Sequence, residues 1–84
     1  MDGVPEGALF SFKTAGGTFW IAPELDRGGR FLLRLDGVLL GSYSTPGAAA
    51  ADVAAHTTTD EWWDLRPPTP TDPAGLGDWT PLSR

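Results

Sequence analysis

The 84-residue sequence has no cysteine and only one histidine, His56. The absence of cysteine excludes disulfide bonds and thiolate metal sites, so packing and hydrogen bonds must hold the fold. A zinc site takes about four cysteine or histidine ligands, and we therefore expect neither a metal nor a cofactor. No acid and nucleophile are spaced to form a catalytic trio with His56, and we expect a protein that is not an enzyme. We expect His56 at the last turn of a helix, either exposed or interacting with the helix dipole.

Long apolar runs and basic side chains are also scarce. No run approaches the roughly 18 apolar residues of a membrane-spanning helix, and no basic region precedes an apolar stretch at the N-terminus, so we expect a cytoplasmic protein with no membrane partner. The sequence has six basic and eleven acidic residues, which gives a formal net charge of −5. The excess lies in residues 44–84, which carry six acids and two bases. Phosphate backbones attract clustered lysine and arginine, so this balance favours another protein over nucleic acid as the partner.

Four short segments have the composition of β-strands. The first alternates Phe10 and Phe12 with polar residues, which is the period of a half-buried strand. The second, TFWIA, is β-branched and aromatic, and it ends at Pro23 because proline cannot donate to a ladder. The pattern predicts an antiparallel β-meander of three to four strands over residues 8–43. The four segments are residues 8–14, 18–22, 30–35 and 38–43.

The last two segments are joined by Asp36-Gly37, a strong signal for a two-residue hairpin turn. This turn type needs a positive φ at both residues. It predicts three opposite pairs, namely Leu35 with Val38, Leu33 with Leu40, and Phe31 with Ser42. The predicted core face consists of Phe31, Leu33, Leu35, Val38 and Leu40.

A short alanine-rich helix is predicted at residues 46–56. Thr45 offers an N-cap hydroxyl, and Pro46 suits the first helical position. The helix is expected to lie close to the sheet through one of two stripes, Ala48, Ala51 and Ala55 or Ala49 and Val53. Residues 57–84 are predicted as a turn and an ordered Pro-rich tail that lies back across the domain without regular secondary structure. Residues 1–84 thus form one predicted α+β domain.

The stretch LGSYSTPGAAAADVAAHTT, with Trp20 upstream and LGDWTPL near the C-terminus, resembles a group of small uncharacterised bacterial and prophage-type proteins. In that group a Trp-bearing hairpin leads to Gly-Ser-Tyr, a Ser/Thr-Pro step, an Ala-rich helix and a terminal Asp-Trp. The resemblance spans roughly residues 18–80, and it implies a shared fold.

A weaker likeness is to the AP2-type DNA-binding domain, which also places a three-stranded sheet before a helix. That family reads DNA with arginine and tryptophan side chains on the sheet. In this sequence Trp20, Arg30 and Arg34 could occupy such a face, and we carry over no functional residue from that family.

Trp62 and Trp63 are adjacent, so they cannot both face the same core, and we expect one of them to be exposed or covered by the tail. Tryptophan contributes strongly to protein interfaces, and an exposed indole rimmed by carboxylates would form a contact site. The predicted partner-binding residues are Asp60, Glu61, Trp62, Trp63 and Asp64. The alternatives are a helix-capping acidic turn, with Asp60 as the cap, and indoles stacked by Pro67, Pro68 or Pro81.

Two functional hypotheses follow. The first is a small non-enzymatic protein-binding module, a phage-associated or regulatory modulator, that acts through the acidic Trp-containing surface. The second is a nucleic-acid-binding module that uses the sheet face with Trp20, Arg30 and Arg34.

Overall fold

The chain folds into a five-stranded antiparallel sheet with one main helix packed against it. The computed structural model describes residues 7–26 and 28–82. Its strands are β1 (Phe10–Thr14), β2 (Gly17–Pro23), β3 (Phe31–Leu35), β4 (Val38–Tyr43) and β5 (Thr80–Pro81). Its helices are α1 (Pro46–Ala55) and α2 (Glu61–Leu65), and a 3-10 turn covers Leu76–Asp78. The strand order is β4-β3-β2-β1-β5, so the predicted α+β meander followed by a helix is confirmed.

The β3–β4 hairpin contains a β-bulge that the sequence analysis did not predict. Leu35 lies opposite Val38, as predicted, but the register shifts between Leu33 and Arg34. Beyond the shift, the observed pairs are Leu33 with Gly41, Leu32 with Ser42 and Phe31 with Tyr43. The partners predicted for Leu33 and Phe31 are therefore wrong, because a bulge inserts one extra residue, here Leu40, into one strand of the pair.

The turn between β3 and β4 also differs from the prediction. Only Asp36 of its two residues has a positive φ, 52°, so the expectation for both residues is wrong. Two bonds to β2 hold Asp36 in place: its N–H donates to the Thr18 carbonyl at 2.8 Å, and its carboxylate accepts the Thr18 N–H at 3.0 Å. Val38 follows this turn at the very end of the sheet and is 59% exposed, so its predicted place in the core is wrong.

Helix α1 packs on one face of the sheet through its alanine side chains. The Thr45 hydroxyl accepts the Ala48 N–H at 3.0 Å, which confirms the predicted N-cap. The buried residues are Ala49, Ala50 and Val53, so the second predicted stripe faces the sheet. The helix ends at Ala55, one residue earlier than predicted. Neither helix in the described ranges is long and apolar enough to cross a membrane.

The segment before the C-terminus completes both the core and the sheet. Trp79 is buried, and β5 pairs with β1 through Ser11 with Thr80 and Phe10 with Pro81. The prediction that this part of the chain has no regular secondary structure is wrong. Proline is tolerated in β5 because this strand lies at the sheet edge. The complete core cluster is Phe19, Ile21, Leu33, Leu35, Ala49, Ala50, Val53, Trp63 and Trp79.

Candidate functional site

Helix α2 is short, and its N-terminal cap sets the directions of the two adjacent tryptophans. The Asp60 carboxylate accepts the Trp63 N–H at 3.0 Å, which confirms the predicted cap. The Asp60 carbonyl also accepts the Asp64 N–H at 2.8 Å. Because neighbouring residues on a helix point about 100° apart, this turn directs Trp62 and Trp63 to different sides.

Trp63 is a core residue. It is 1% exposed, its indole N–H donates to the Val53 carbonyl at 2.8 Å, and its ring meets Phe19 edge-on with centroids 5.1 Å apart. The indole therefore joins α2 to α1 and to the sheet. Trp63 was predicted as a partner-binding residue, and this burial makes that prediction wrong.

Trp62 lies on the surface against a fixed support. It is 44% exposed, and its ring packs on the β1–β2 turn so closely that a methyl group added at Gly16 would lie 2.6 Å from it. The guanidinium carbon of Arg66 lies 5.5 Å from the indole centroid, within cation–π range. The prolines expected to stack on the indoles, residues 67, 68 and 81, are exposed. Trp62 therefore presents part of its ring to solvent while Gly16 and Arg66 restrict its orientation.

Two of the three carboxylates predicted to rim the contact site accept hydrogen bonds from within the protein. Asp64 accepts the Thr58 N–H, the Thr58 hydroxyl and the Thr59 N–H at 2.8, 2.9 and 2.8 Å. Asp60 caps α2, as described above. These bonds close the loop between α1 and α2, so Asp60 and Asp64 have structural roles that the prediction of a contact rim did not include.

Glu61 and Leu65 share the exposed side of α2 with Trp62. Glu61 is exposed, and Leu65 is 79% exposed. We refer to Glu61, Trp62 and Leu65 as the Trp62 surface. It retains two of the five predicted contact residues and adds Leu65. The exposure of Leu65 depends on where α2 ends, and the local sequence pattern does not predict it.

The Trp62 surface lies at the end of the sheet that carries the β1–β2 turn and the β3–β4 turn. Gly16 supports Trp62, and the next residue, Gly17, approaches the carboxylate of Asp36 in the β3–β4 turn. Asp36 and Val38 are both exposed at this end. Asp36, whose carboxylate accepts the Thr18 N–H, and the apolar Val38 therefore lie at the same end of the sheet as the Trp62 surface.

The side chain of His56 is largely buried, whereas the sequence predicted an exposed or dipole-stabilised residue. It adopts the left-handed conformation that ends α1, with φ 58° and ψ 47°. Its side chain is 8% exposed and stacks on Trp63 with centroids 4.5 Å apart and planes 4° apart. Nδ1 lies 2.7 Å from the Trp63 carbonyl oxygen, and Nε2 lies 2.9 Å from Asp72 Oδ2. Both ring nitrogens are thus engaged by oxygen acceptors.

Asp72 collects hydrogen bonds from several directions. It accepts the Thr69 N–H at 3.1 Å, the Thr69 hydroxyl at 3.0 Å and the Arg66 guanidinium at 3.0 Å, in addition to its contact with His56. Burial alone would raise the pKa of this carboxyl group, but the bonds from Thr69, His56 and Arg66 outweigh burial and hold the pKa well below its ordinary value. Asp72 is therefore ionised in the folded protein at neutral pH.

The predicted nucleic-acid face is only partly assembled. Trp20 and Arg34 are direct cross-strand partners, and Ser11 lies opposite Trp20 on the other side. These positions alternate with the buried ones, so they share the sheet face opposite α1. Arg30 lies beyond the far end of β3, where its guanidinium donates to the Ser42 hydroxyl and carbonyl, both at 2.8 Å. The structure therefore joins Trp20 with Arg34 but holds the Arg30 guanidinium in an internal contact.

Within the described parts of the chain, no three histidine or acidic side chains come together in a way that could hold a metal ion. Comparisons with protein-family models, curated proteins and solved structures found no match.

Tyr43 offers a test of the α1 contacts, because it is the only tyrosine. Burial, the hydrogen bond to Asp52 at 2.7 Å and the negative charges of Asp52 and Asp64 raise the pKa of Tyr43 to about 12. We expect a phenolate absorbance titration to show ionisation well above the ordinary value of about 10 while the protein stays folded. Stability should fall as the pH rises from about 10 towards the folded value, because the unfolded chain loses this proton first. Asp52→Asn should move the titration of Tyr43 back towards its ordinary range, and an unchanged titration would contradict the assigned contact.

Proposed function

We propose that the chain is a small non-enzymatic protein-binding module, acting as a phage-associated or regulatory modulator, and that it holds its partner at the Trp62 surface. The observation that carries the proposal is the exposure of an indole, 44%, on a support made by Gly16 and Arg66. Tryptophan is enriched among the residues that dominate interface energetics. A side chain already restricted in the free protein loses little freedom on binding, which favours affinity.

The charges around Trp62 define the chemistry of the partner. Glu61 adjoins the indole on α2 and the Arg66 guanidinium lies over the ring, while Asp36 lies at the same end of the sheet and the whole chain has a net charge of −5. Exposed apolar side chains, Leu65 and Val38, flank these carboxylates. Electrostatic complementarity favours a partner segment that combines an apolar anchor with lysine or arginine.

The test is peptide selection on the wild-type protein by display, followed by affinity measurements on variants. We expect the enriched peptides to contain an apolar side chain beside lysine or arginine. Trp62→Ala should weaken their binding by about tenfold or more, as truncation of an interface tryptophan commonly does. Glu61→Lys should weaken it through charge reversal without touching the bonds that Asp60 and Asp64 make inside the protein.

Leu25→Ala is the matched control. Leu25 is also an exposed apolar residue, but it lies between β2 and β3 at the opposite end of the sheet. Its removal should leave peptide affinity unchanged. Peptides that bind Trp62→Ala as tightly as the wild type, or that lack basic residues, would contradict the proposal.

A second candidate function is nucleic-acid binding at the sheet face opposite α1. The observation that favours it is the cross-strand pair of Trp20 and Arg34, which sets a stacking surface beside a cation. Binding of mixed-sequence single- and double-stranded DNA should then fall steeply between low and moderate salt, and Arg34→Gln should reduce the slope by about one. Binding without a salt dependence, or none at low salt, would rule out this candidate.

A further inference from the structure

We propose that His56 is a proton-dependent latch. With both ring nitrogens protonated, it joins the end of α1 to α2 and to the loop that carries Asp72. With only one ring nitrogen protonated, it must release either the α2 carbonyl or Asp72. This inference is independent of the proposed binding function.

The two groups that contact the His56 ring nitrogens are both hydrogen-bond acceptors. A backbone carbonyl oxygen only accepts hydrogen bonds, and so does an ionised carboxylate. Nδ1 lies 2.7 Å from the Trp63 carbonyl and Nε2 lies 2.9 Å from Asp72 Oδ2, so both nitrogens must donate. Only the imidazolium form carries both protons. In either neutral tautomer, one nitrogen lone pair would face an oxygen lone pair at hydrogen-bond distance.

The stacking of the ring supports the same form. His56 lies flat on the Trp63 indole, 4.5 Å between centroids and 4° between planes. A cation over an indole face is attracted by the ring quadrupole. At 8% exposure the imidazole has little access to water that could take over a lost partner. Loss of a proton therefore weakens the bond network and the stacking together.

The titratable groups near the His56 ring belong to the Asp72 loop and to the two helices. Asp72 is the carboxylate that faces it, and Arg66 binds the other oxygen of the same carboxylate at 3.0 Å. From α2 the ring meets the Trp63 backbone carbonyl, which does not titrate. Asp52 of α1 and Asp64 of α2 are bonded to tyrosine and threonine groups instead, and the third carboxylate of these helices, Glu61, is exposed. Because His56 is the side chain in this cluster that can donate from either one or both of its ring nitrogens, it is the group that would operate the latch.

The chain has one histidine, so its ring can be followed by NMR without assignment ambiguity. The measurement is a pH titration of the full chain that records the His56 ring nitrogen shifts and the upfield ring-current shift of its Hε1 proton over Trp63. We expect a doubly protonated ring while the upfield shift is present, and loss of that shift at the same pH at which the ring loses one proton. A singly protonated ring that keeps the upfield shift would overturn the proposal.

Asp72→Asn distinguishes the effect of the His56 ring proton from the effect of the contact between His56 and residue 72. An amide NH₂ can donate to a nitrogen lone pair at Nε2, which a carboxylate cannot do. In this variant the ring should stay stacked after it loses its proton, so the ring-current shift should be independent of pH. Loss of stacking on deprotonation in this variant, as in the wild type, would also overturn the latch.

Discussion

Trp63→Ala is expected to lower the free energy of unfolding by about 3 to 5 kcal/mol, the usual cost of truncating a buried aromatic side chain. Trp63 touches α1 through its N–H bond to Val53, the sheet through Phe19 and the C-cap through His56. Its removal leaves a cavity where three parts of the fold meet. A domain of this size has a total stability of about 5 to 15 kcal/mol, so the variant should unfold at a much lower urea concentration.

Trp62→Ala is the matched control because it removes the same side chain one residue earlier. Trp62 is nearly half exposed, so we expect a loss of less than about 1.5 kcal/mol. Peptide affinity should show the opposite order: Trp62→Ala should lower it more than Trp63→Ala does, since only Trp62 reaches solvent. Equal losses of stability in the two variants, measured by urea unfolding, would contradict the assignment of one indole to the core and the other to the surface.

Local patterns were sufficient to predict β1 to β4 and α1. Alternation around Phe10 and Phe12, the Asp36-Gly37 turn and the Thr45-Pro46 start each act within a few residues, and the observed elements follow them closely. The direction of side chains along β4 was less predictable. A single inserted residue reverses the alternation, and the one local signal for it in VLLGSY is Gly41, next to the inserted Leu40, since a glycine inside a strand often marks a bulge.

Contacts between distant residues were not predictable from the sequence. β5 exists because β1 has a free edge that Thr80 can reach, and two residues carry no period of their own. His56 and Asp72 are 16 positions apart and meet only after α2 and the loop at residues 66–72 have folded. Adjacency did indicate that one of Trp62 and Trp63 would be exposed, but which one faces inward depends on how Asp60 caps α2.

Asp72→Asn is expected to lower the free energy of unfolding by about 2 kcal/mol at neutral pH, within the usual cost of leaving buried donors without an acceptor. One oxygen of Asp72 receives both the Thr69 N–H and His56, and the other receives Arg66 and the Thr69 hydroxyl. An amide cannot accept at both positions, so at least one donor loses its partner. The Asp72 side chain is 11% exposed, and little water can replace that partner.

Asp78→Asn is the control for this prediction, since Asp78 is exposed and accepts one bond, from the Ala74 N–H at 2.8 Å. It should cost less than about 1 kcal/mol. The difference between wild type and Asp72→Asn should also depend on pH. Because folding lowers the pKa of Asp72, its contribution is complete above the ordinary carboxyl pKa of about 4 and declines as the pH falls further, when the unfolded chain binds the proton first. Urea unfolding curves of the two proteins should therefore converge in acid, and a difference that stays constant from neutral pH to the acid limit would show that the charge of Asp72 does not hold this loop.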